Sequence, residues 1–456
     1  MAGPAGLPAE RDRVNDAHAV PVWRIIIPMH IPTLSRWRAF GSARYRPFQA
    51  IAIGQAFTGS FASDALFVPL LLRLGAPPAL VILVGSIPVG ASVLQAFFPQ
   101  ILRRMGGNLR RLTLILTIAE VRGFVHAAVV AAIAVGVIDA PLGIVLISAT
   151  VAIGQTAGVI SGSNIGLWTA VVLPEQERRL VGPRMGAMNM ALSTLLLLPA
   201  GAVLDAGLRT IGLWSYVGFF LVSGLFSILT PLAVTRLPHP GRVLVKTGEA
   251  TAEPLPVPFK RFTTATAIAS VGQGLIPYLS LYAIQVLGAS AGFAVILSGS
   301  ASAGALAGSL AAGSFLLGGS SSRVLRTSFV ARALAAAVCA LAIPGNPAAL
   351  PLLLIGAVLF SGAGNAGVLA SNERLYRLAP PDLRVRCQSH YVASTSAAFA
   401  LGAVVCASAL ALSESVGWPV YTALFVGSGV SRMIAGVRID VSPSWRSPTA
   451  PPAEES

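Results

Sequence analysis

Four ionisable side chains lie inside long apolar runs of this sequence: Asp64, Glu120, Arg122 and His126. A charged group in hydrocarbon costs about 2.5–3.5 kcal/mol on membrane-insertion scales, so such groups are typical of ion pairs, binding sites or proton pathways. A carboxylate that alternates between a dry site and a site beside a cation changes its proton affinity, which can couple proton movement to a conformational change. Asp64 is therefore the first candidate for coupling, and a structural aspartate bonded to backbone or to Gln55 is the alternative.

The spacing around residue 122 predicts how three of these side chains point. At about 100° per residue, Arg122 and His126 share one helix face, whereas Glu120 points about 200° away from Arg122. Glu120 and Arg122 therefore cannot both face one cavity unless the helix is broken between them. Arg122 either meets an anionic group of a substrate or forms a structural ion pair with an internal carboxylate. His126, alone on an apolar face, is either a proton carrier or a structural residue.

Uncharged polar residues inside the apolar runs are further candidates for the lining of a cavity. They are Gln55, Gln95, Gln155, Asn164, Gln273, Gln285 and Asn365. The 3 cysteines and 5 histidines form no cluster with metal-ligand spacing, so the sequence predicts no metal and no cofactor. The segment GAGNAG, residues 362–367, matches a dinucleotide fingerprint, but it lies within an apolar run and no strand precedes it. We interpret it as helix packing or as a local helix break at Asn365.

Most of the chain is too apolar to fold in water. Of its 456 residues 55% are hydrophobic and 11% are charged, whereas soluble domains contain about 25% charged residues. Runs of roughly 20 apolar residues, enough to cross about 30 Å of hydrocarbon, recur along the chain. They lie near 48–72, 78–100, 112–137, 141–172, 187–207, 212–235, 262–286, 290–318, 325–343, 348–371, 391–412 and 417–436. The predicted fold class is an all-α polytopic membrane protein with twelve transmembrane helices, or spans.

Basic residues collect on one side of the predicted spans. Of the 32 lysines and arginines, nearly all fall before span 1, after span 12 or in loops that follow even-numbered spans. We call this side the basic face and the other side the far face. Arg73 and Arg209 lie on the far face, Arg122 and Arg332 lie within spans, and Arg432 is assigned to the basic face. This asymmetry predicts a multi-pass protein of the cell membrane with both termini and the central linker in the cytoplasm. It also explains the net charge of +15 without a nucleic-acid partner.

A proline-then-arginine element occurs twice with one spacing. Pro174 precedes Arg178 in LPEQERRLVGPRMGAMN, residues 173–189, and Pro380 precedes Arg384 in LAPPDLRVRCQSHYVAS, residues 378–394. Each element follows the fourth span of its half, which indicates an internal repeat of six spans. The arginines either anchor the loops to headgroups and helix ends or serve orientation alone. The predicted organisation is a basic segment 1–46, a six-helix bundle 47–236, a cytoplasmic linker 237–261, a second six-helix bundle 262–437 and a disordered tail 438–456.

The loop with the first element resembles a loop of the major facilitator superfamily. In that family a tryptophan, a proline, basic residues and then Gly-x-Arg-x-x-x-x-Asn follow one another. The matching positions are Trp168, Pro174, Arg178, Gly182, Arg184 and Asn189. The family's signature between spans 2 and 3 is similar to PQILRRMGGN, residues 99–108, where Arg104 and Gly106 match and Pro99 and Arg103 replace the expected glycine and aspartate. An arginine early in span 4 and a double-glycine run in span 5, typical of the family's drug–proton antiporters, are missing from the sequence.

The resemblance covers about residues 47–437 and implies two six-helix bundles that face each other across a midplane cavity. It implies a secondary active transporter of a small molecule by alternating access, with proton-coupled efflux as the finer expectation. We expect a monomer whose partners are the lipid bilayer, the small molecule and protons. A transporter-like sensor or scaffold without flux is the alternative. A membrane-embedded enzyme is not expected, because it would need clustered histidine or aspartate ligands and His126 alone of the 5 histidines lies in a span.

Overall fold

A computed structural model describes residues 43–106, 108–173, 175–238, 254–276, 278–317, 321–379, 383–412 and 417–439. Within these ranges all regular secondary structure is helical. Most of the predicted basic segment, linker and tail lies outside the described residues, as do Pro174 and Pro380.

The first half of the chain forms six helical spans. Span 1 consists of Arg46–Phe61 and Asp64–Arg73, span 2 of Pro78–Ala91, the 3-10 helix Ser92–Phe97 and Phe98–Arg104, and span 3 of Leu109–Ala119 and Gly123–Ala134. Span 4 is Ala140–Val172, span 5 is Glu175–Thr210, and span 6 consists of Trp214–Ser227 and Leu229–Arg236. A short 3-10 helix, Ala43–Tyr45, precedes span 1.

The second half also forms six spans. Span 7 consists of Val257–Leu275 and Leu279–Gln285, span 8 is Ala291–Leu317, span 9 is Ser321–Ala340, span 10 is Ala349–Leu378, span 11 is Arg384–Ala411 and span 12 is Pro419–Arg438. Among the described residues, 11 spans are long and apolar enough to cross a membrane. Span 9 falls short in composition, because its 20 residues include Arg323, Arg326 and Arg332. The predicted all-α polytopic fold class is confirmed.

Spans 1, 3 and 7 are interrupted where polar residues occur. Span 1 breaks at residues 62–63, and the Ser63 hydroxyl caps its second part by accepting a hydrogen bond from the backbone amide of Ala65 at 3.4 Å. Span 3 breaks at residues 120–122, and the two parts of span 7 meet near Tyr278. A break leaves backbone carbonyls and amides without helical partners, so polar side chains are stabilised there.

The buried apolar side chains form one shared core at the far face and two separate cores at the basic face. The far-face core combines residues of both halves, for example Leu66 of span 1 and Tyr282 of span 7. At the basic face, the core around Trp168 belongs to the first half, and the core around Phe259 belongs to the second half. Among the side chains that the structure describes, the two halves therefore share a buried apolar core toward the far face alone.

Small residues let the two halves approach closely. Span 8 packs on span 5, and span 11 packs on span 2. A methyl group at Gly201 of span 5 would overlap the backbone of Gly292 in span 8, and a methyl group at Gly292 would overlap Gly201 in turn. Backbones come this close in membrane bundles where the facing residues are small.

Candidate functional site

Arg122 lies at the centre of a polar cluster in the first half. Arg122 is buried, with 8% of its surface exposed. Its Nη2 donates a hydrogen bond to the backbone carbonyl of Ala62 at 2.9 Å. That carbonyl lies at the break in span 1. The carboxylates of Asp64 and Glu120 both interact electrostatically with the guanidinium group. With every group ionised, the cluster carries two negative charges and one positive charge.

The break in span 3 turns Glu120 and Arg122 toward the same neighbour, span 4. A methyl group at Gly154 would overlap the Arg122 side chain, and the Glu120 carboxylate lies beside Gly158, one helix turn further along. The Ser161 hydroxyl, almost another turn along, donates a hydrogen bond to Glu120. From the sequence, Glu120 and Arg122 could face one site only if the helix were broken between them. The structure shows this break.

Asp64 links this cluster to the second half of the chain. It is the first residue of the second part of span 1, so its carboxylate lies at the positive end of a helix. Its hydrogen-bond partners are the side chains of Gln155 in span 4 and Tyr278 in span 7. The Tyr278 hydroxyl lies where a methyl group on Gly85 of span 2 would stand. The hydrogen bond from Tyr278 therefore crosses the interface between the halves. The glutamine that bonds Asp64 is Gln155 and not Gln55.

His126 packs among aromatic rings. It is fully buried, and its ring centroid lies 4.7 Å from that of Phe67 and 5.4 Å from that of Phe220. Among the described residues neither ring nitrogen of His126 has a hydrogen-bond partner, and the side-chain amide of Asn164 has none either. Such surroundings are typical of a histidine that fills space in a core.

The GAGNAG segment packs span 10 on span 8. The helix of span 10 runs through Asn365 without a break, so helix packing is the interpretation that the structure supports. A methyl group at Gly308 of span 8 would overlap the backbone of Gly362. The Asn365 amide donates hydrogen bonds to the Ala305 carbonyl at 3.0 Å and to the Ser309 hydroxyl.

A second polar cluster lies in the second half and contains Arg432, which the sequence pattern placed at the basic face. Arg432 lies inside span 12, fully buried, and not at the basic face; the helix ends at Arg438, about 9 Å further along its axis. The Nη1 of Arg432 donates to the carbonyls of Gly272 at 3.1 Å and Ser428 at 3.0 Å, and Nη2 reaches Oε1 of Gln273 at 3.4 Å. The assignment was wrong because apolar residues continue after Arg432 and the helix continues with them.

Arg332 of span 9 and Arg432 share one aromatic ring. Their guanidinium carbons lie 4.5 Å and 4.7 Å from the ring centroid of Phe360 in span 10. The Nε of each arginine is buried without a hydrogen-bond partner in the described part of the chain. The ion pairs recorded there, Arg44–Glu177 and Arg377–Glu373, involve neither of them.

The two clusters occupy similar places in the third and fourth spans of the two halves. Arg122 packs over Gly154 in the first half, and Arg332 packs over Gly364 in the second, each residue 210 positions after its counterpart. In the first half this arginine meets two carboxylates. In the second half it meets another arginine. The arginine in the third span of each half therefore has opposite charge surroundings in the two halves.

Asp205 joins the halves at the far face. The Ser290 hydroxyl donates a hydrogen bond to its Oδ2 at 2.6 Å, and the Gly292 backbone amide donates one to its Oδ1 at 2.8 Å. Both donors lie at the beginning of span 8, where the helix dipole favours a carboxylate. We call Asp205, Ser290 and Gly292 the far-face latch.

At the basic face, the loop motif of the first half holds helix ends together. Trp168 is fully buried, and its Nε1 donates to the Pro238 carbonyl at 3.0 Å. At the beginning of span 5, Glu177 accepts a hydrogen bond from the Tyr45 hydroxyl at 3.0 Å and pairs with Arg44 at 3.0 Å. Burial, followed by the bond to Glu177, raises the pKa of Tyr45. All of these contacts join residues between 44 and 238, before the second bundle begins.

The remaining motif residues lie near helix ends at the same face. Arg104 and Gly182 are exposed, Arg184 and Asn189 are buried and half-buried, and Arg178 and Arg384 lie in the first turns of spans 5 and 11. Gly106 has a φ of 66°, a conformation that favours glycine and so explains a glycine in the turn between spans 2 and 3.

Gly85→Ala is expected to open the far face. The added methyl group takes the place of the Tyr278 hydroxyl, so the hydrogen bond to Asp64 is lost. The measurement is the distance between nitroxide labels on Val137→Cys and Leu341→Cys, two exposed far-face positions in opposite halves. The native cysteines are buried and do not compete for label. The population with the short label distance should fall severalfold.

Gly59→Ala is the matched control for this change. Gly59 is exposed, and nothing lies within 4 Å of a methyl group added there. We expect the parent distance distribution in Gly59→Ala. The same distribution in Gly85→Ala would contradict a role for Tyr278 in closing the far face.

Solved structures share the arrangement of these helices. The xylose transporter XylE from E. coli, in an inward-open conformation, matches with a TM-score of 0.64 and 12% identity over 88% of this chain and 97% of that one. A POT family transporter in complex with 5-aminolevulinic acid matches with a TM-score of 0.62 and 11% identity over 88% and 95%. The human organic anion transporter MFSD10 matches with a TM-score of 0.57 and 15% identity over 88% and 100%.

The similarity lies in the fold and not in the sequence, since identities of 11% to 15% are too low to carry residue roles. No protein-family model matches the chain, and no curated protein matches it by sequence. All three solved structures are transporters, and each is matched over 95% to 100% of its own length. The chain therefore has the fold of the major facilitator transporters.

Proposed function

We propose that this protein is a secondary active transporter that moves a small molecule across the cell membrane by alternating access. The arrangement of the apolar cores carries the proposal. One core joins the halves at the far face, and two cores lie apart at the basic face. Such an arrangement fits one end state of a rocking cycle, open toward the basic face. In the other end state, the far-face contacts separate and the basic-face cores meet.

The moving units are the two bundles, residues 47–236 and 262–437. The distribution of basic residues supports an orientation with both termini and the linker 237–261 in the cytoplasm. One chain supplies both bundles, so we propose a monomer as the working unit. Arg178 and Arg384 lie in the first turns of spans 5 and 11, which begin at this face.

Asp64 is the group through which protons act on the cycle. When it is ionised, its carboxylate attracts Arg122 and accepts hydrogen bonds from Gln155 and Tyr278. Binding of a proton removes the negative charge and weakens the bond to Tyr278. Because that bond joins the halves, protonation favours separation of the far face. Glu120 interacts with the same guanidinium group and completes the set of charged neighbours.

Efflux is the direction that we propose, and it needs a direct test because an end state open toward the basic face belongs to the cycle of importers and exporters alike. To test transport and direction together, inside-out vesicles that contain the protein are incubated with a uniformly ¹³C-labelled small-molecule extract of cells. We expect at least one labelled compound to accumulate, by mass spectrometry, when the vesicle interior is acidic. Accumulation in right-side-out vesicles with an acidic exterior would instead mean import.

A lock at the far-face latch is the internal control of this experiment. Asp205→Cys with Ser290→Cys places two thiols where the parent has a 2.6 Å hydrogen bond. Oxidation should reduce accumulation to that of empty vesicles, and a reductant should restore it. A crosslinked protein that still transports, or vesicles in which no compound accumulates above empty vesicles, would contradict alternating access and favour a sensor or scaffold without flux.

A further inference from the structure

We propose that Arg332 and Arg432 bind an anionic group of the cargo, so that the transported molecule is an organic anion. The inference rests on the proposed transport function and names its substrate class. The group that these side chains would recognise is a carboxylate, sulfonate or phosphate on an apolar body.

The two arginines form a positive site that the protein itself does not neutralise. Their guanidinium groups lie against the same ring, Phe360, and they repel each other. Neither takes part in an ion pair within the described ranges. A charge removed from water is strongly destabilised unless a counter-charge or a full set of hydrogen bonds compensates it. A bound anion would supply the counter-charge for both arginines at once.

Arg432 is the fixed member of the pair. Its guanidinium group is held by the carbonyls of Gly272 and Ser428 and by the side chain of Gln273. These acceptors are neutral, so they orient the group and leave its charge in place. Its Nε is buried without a partner among the described residues, and a bound anion would supply the acceptor that it lacks.

Arg332 is the accessible member of the pair. It is half-buried, and it lies along Gly364, which has no side chain to fill the adjoining space. No hydrogen bond from its guanidinium group to a described residue is recorded, and its buried Nε has no partner there. A guanidinium group presents a planar set of donors that matches the oxygens of a carboxylate or phosphate. The half-buried Phe360 offers an apolar surface beside those donors.

The internal repeat separates this site from an ordinary structural arginine. At the equivalent position in the first half, Arg122 interacts electrostatically with the carboxylates of Asp64 and Glu120. At Arg332 the carboxylates are replaced by a second arginine. The same position is thus neutralised internally in one half and left for a ligand in the other.

The test is thermal unfolding of the purified full-length protein in detergent, at constant ionic strength, with four probes of one shape. Benzoate, benzenesulfonate and phenyl phosphate are anions, and benzamide is their neutral counterpart. We expect at least one of the anions to raise Tm by several degrees with saturation, and benzamide to leave it unchanged. If no anion raises Tm more than benzamide does, the site does not bind anions and the inference is wrong.

Arg332→Gln tests whether the response comes from this site. The variant should weaken the apparent affinity for the anion at least tenfold, whereas Arg326→Gln, an exposed change of the same charge on the same helix, should retain it. Arg332→Lys, which keeps the charge and loses the planar donors, should give an intermediate affinity. Equal anion affinities in Arg332→Gln and Arg326→Gln would mean that the anion binds elsewhere and that Arg332 and Arg432 have a structural role alone.

The binding test is independent of transport. Anion-dependent stabilisation without accumulation of any labelled compound would overturn the transport function and leave the anion site intact. Accumulation of a neutral compound, unaffected by Arg332→Gln, would overturn the substrate class and leave transport intact.

Discussion

Asp64→Asn is expected to abolish proton-driven accumulation of the labelled cargo while the protein is produced at its normal level. The amide has the shape of the carboxylate and still accepts a hydrogen bond from Tyr278, so the fold is retained. It has no site for the transported proton and no charge to attract Arg122. The distance between labels at Val137 and Leu341 should lengthen on acidification in the parent protein. In Asp64→Asn it should not respond to pH.

Asp139→Asn is the matched control for this change. Asp139 is exposed and caps span 4 by accepting a hydrogen bond from the Leu142 amide at 3.0 Å. Asparagine caps helices about as well as aspartate does, so flux and its pH dependence should equal those of the parent. Flux driven by a pH gradient in Asp64→Asn, at the level of Asp139→Asn, would exclude Asp64 as the coupling group.

The fold class followed from the sequence because hydrocarbon imposes a simple requirement. A span must be long, helical and apolar, and each of the twelve runs read from composition corresponds to one, two or three consecutive helices. The same rule misplaced Arg432, because an arginine near the end of an apolar run looks like a loop residue. Two neutral carbonyls, those of Gly272 and Ser428, hold it inside the bundle, and no sequence period reveals such acceptors.

Parts of the candidate site could be predicted, and their assembly could not. Asp64, Glu120 and Arg122 were candidates because a charge in lipid is costly. Helix periodicity showed that Glu120 and Arg122 could meet only if the helix were broken between them. The condition is met by a helix break at residues 120–122 that contains no proline. Breaks of this kind depend on tertiary contacts, here the glycine face of span 4 and the carbonyl at the break in span 1.

Tyr278 was not among the candidate site residues predicted from the sequence, because its role comes from long-range contacts. It is one of three aromatic residues in the apolar run 262–286, and nothing nearby in the sequence indicates a carboxylate partner. Its neighbours, Asp64 and Gly85, belong to the other half of the chain. Pro277, which directly precedes it, was the available signal, because proline interrupts a helix and frees the local backbone.

Arg122→Gln is expected to lower the stability of the protein by about 3–5 kcal/mol, because it leaves two buried carboxylates without a cation. Asp64 and Glu120 would then each lose the guanidinium group that attracts them. The measurement is thermal unfolding in detergent, where Tm should fall by many degrees. Arg73→Gln, an exposed change of equal charge at the end of span 1, should leave Tm close to that of the parent.

Charge counting makes the prediction specific to this cluster. Glu120→Gln leaves one carboxylate and one guanidinium group, and glutamine still accepts the hydrogen bond from Ser161, so Tm should change little. The double variant Arg122→Gln with Glu120→Gln leaves one carboxylate and should recover much of the stability lost in Arg122→Gln. It should not recover flux, because Asp64 has lost the cation whose attraction opposes protonation. A double variant less stable than Arg122→Gln alone would mean that Arg122 stabilises the fold through packing over Gly154 and its bond to Ala62, and not through the two carboxylates.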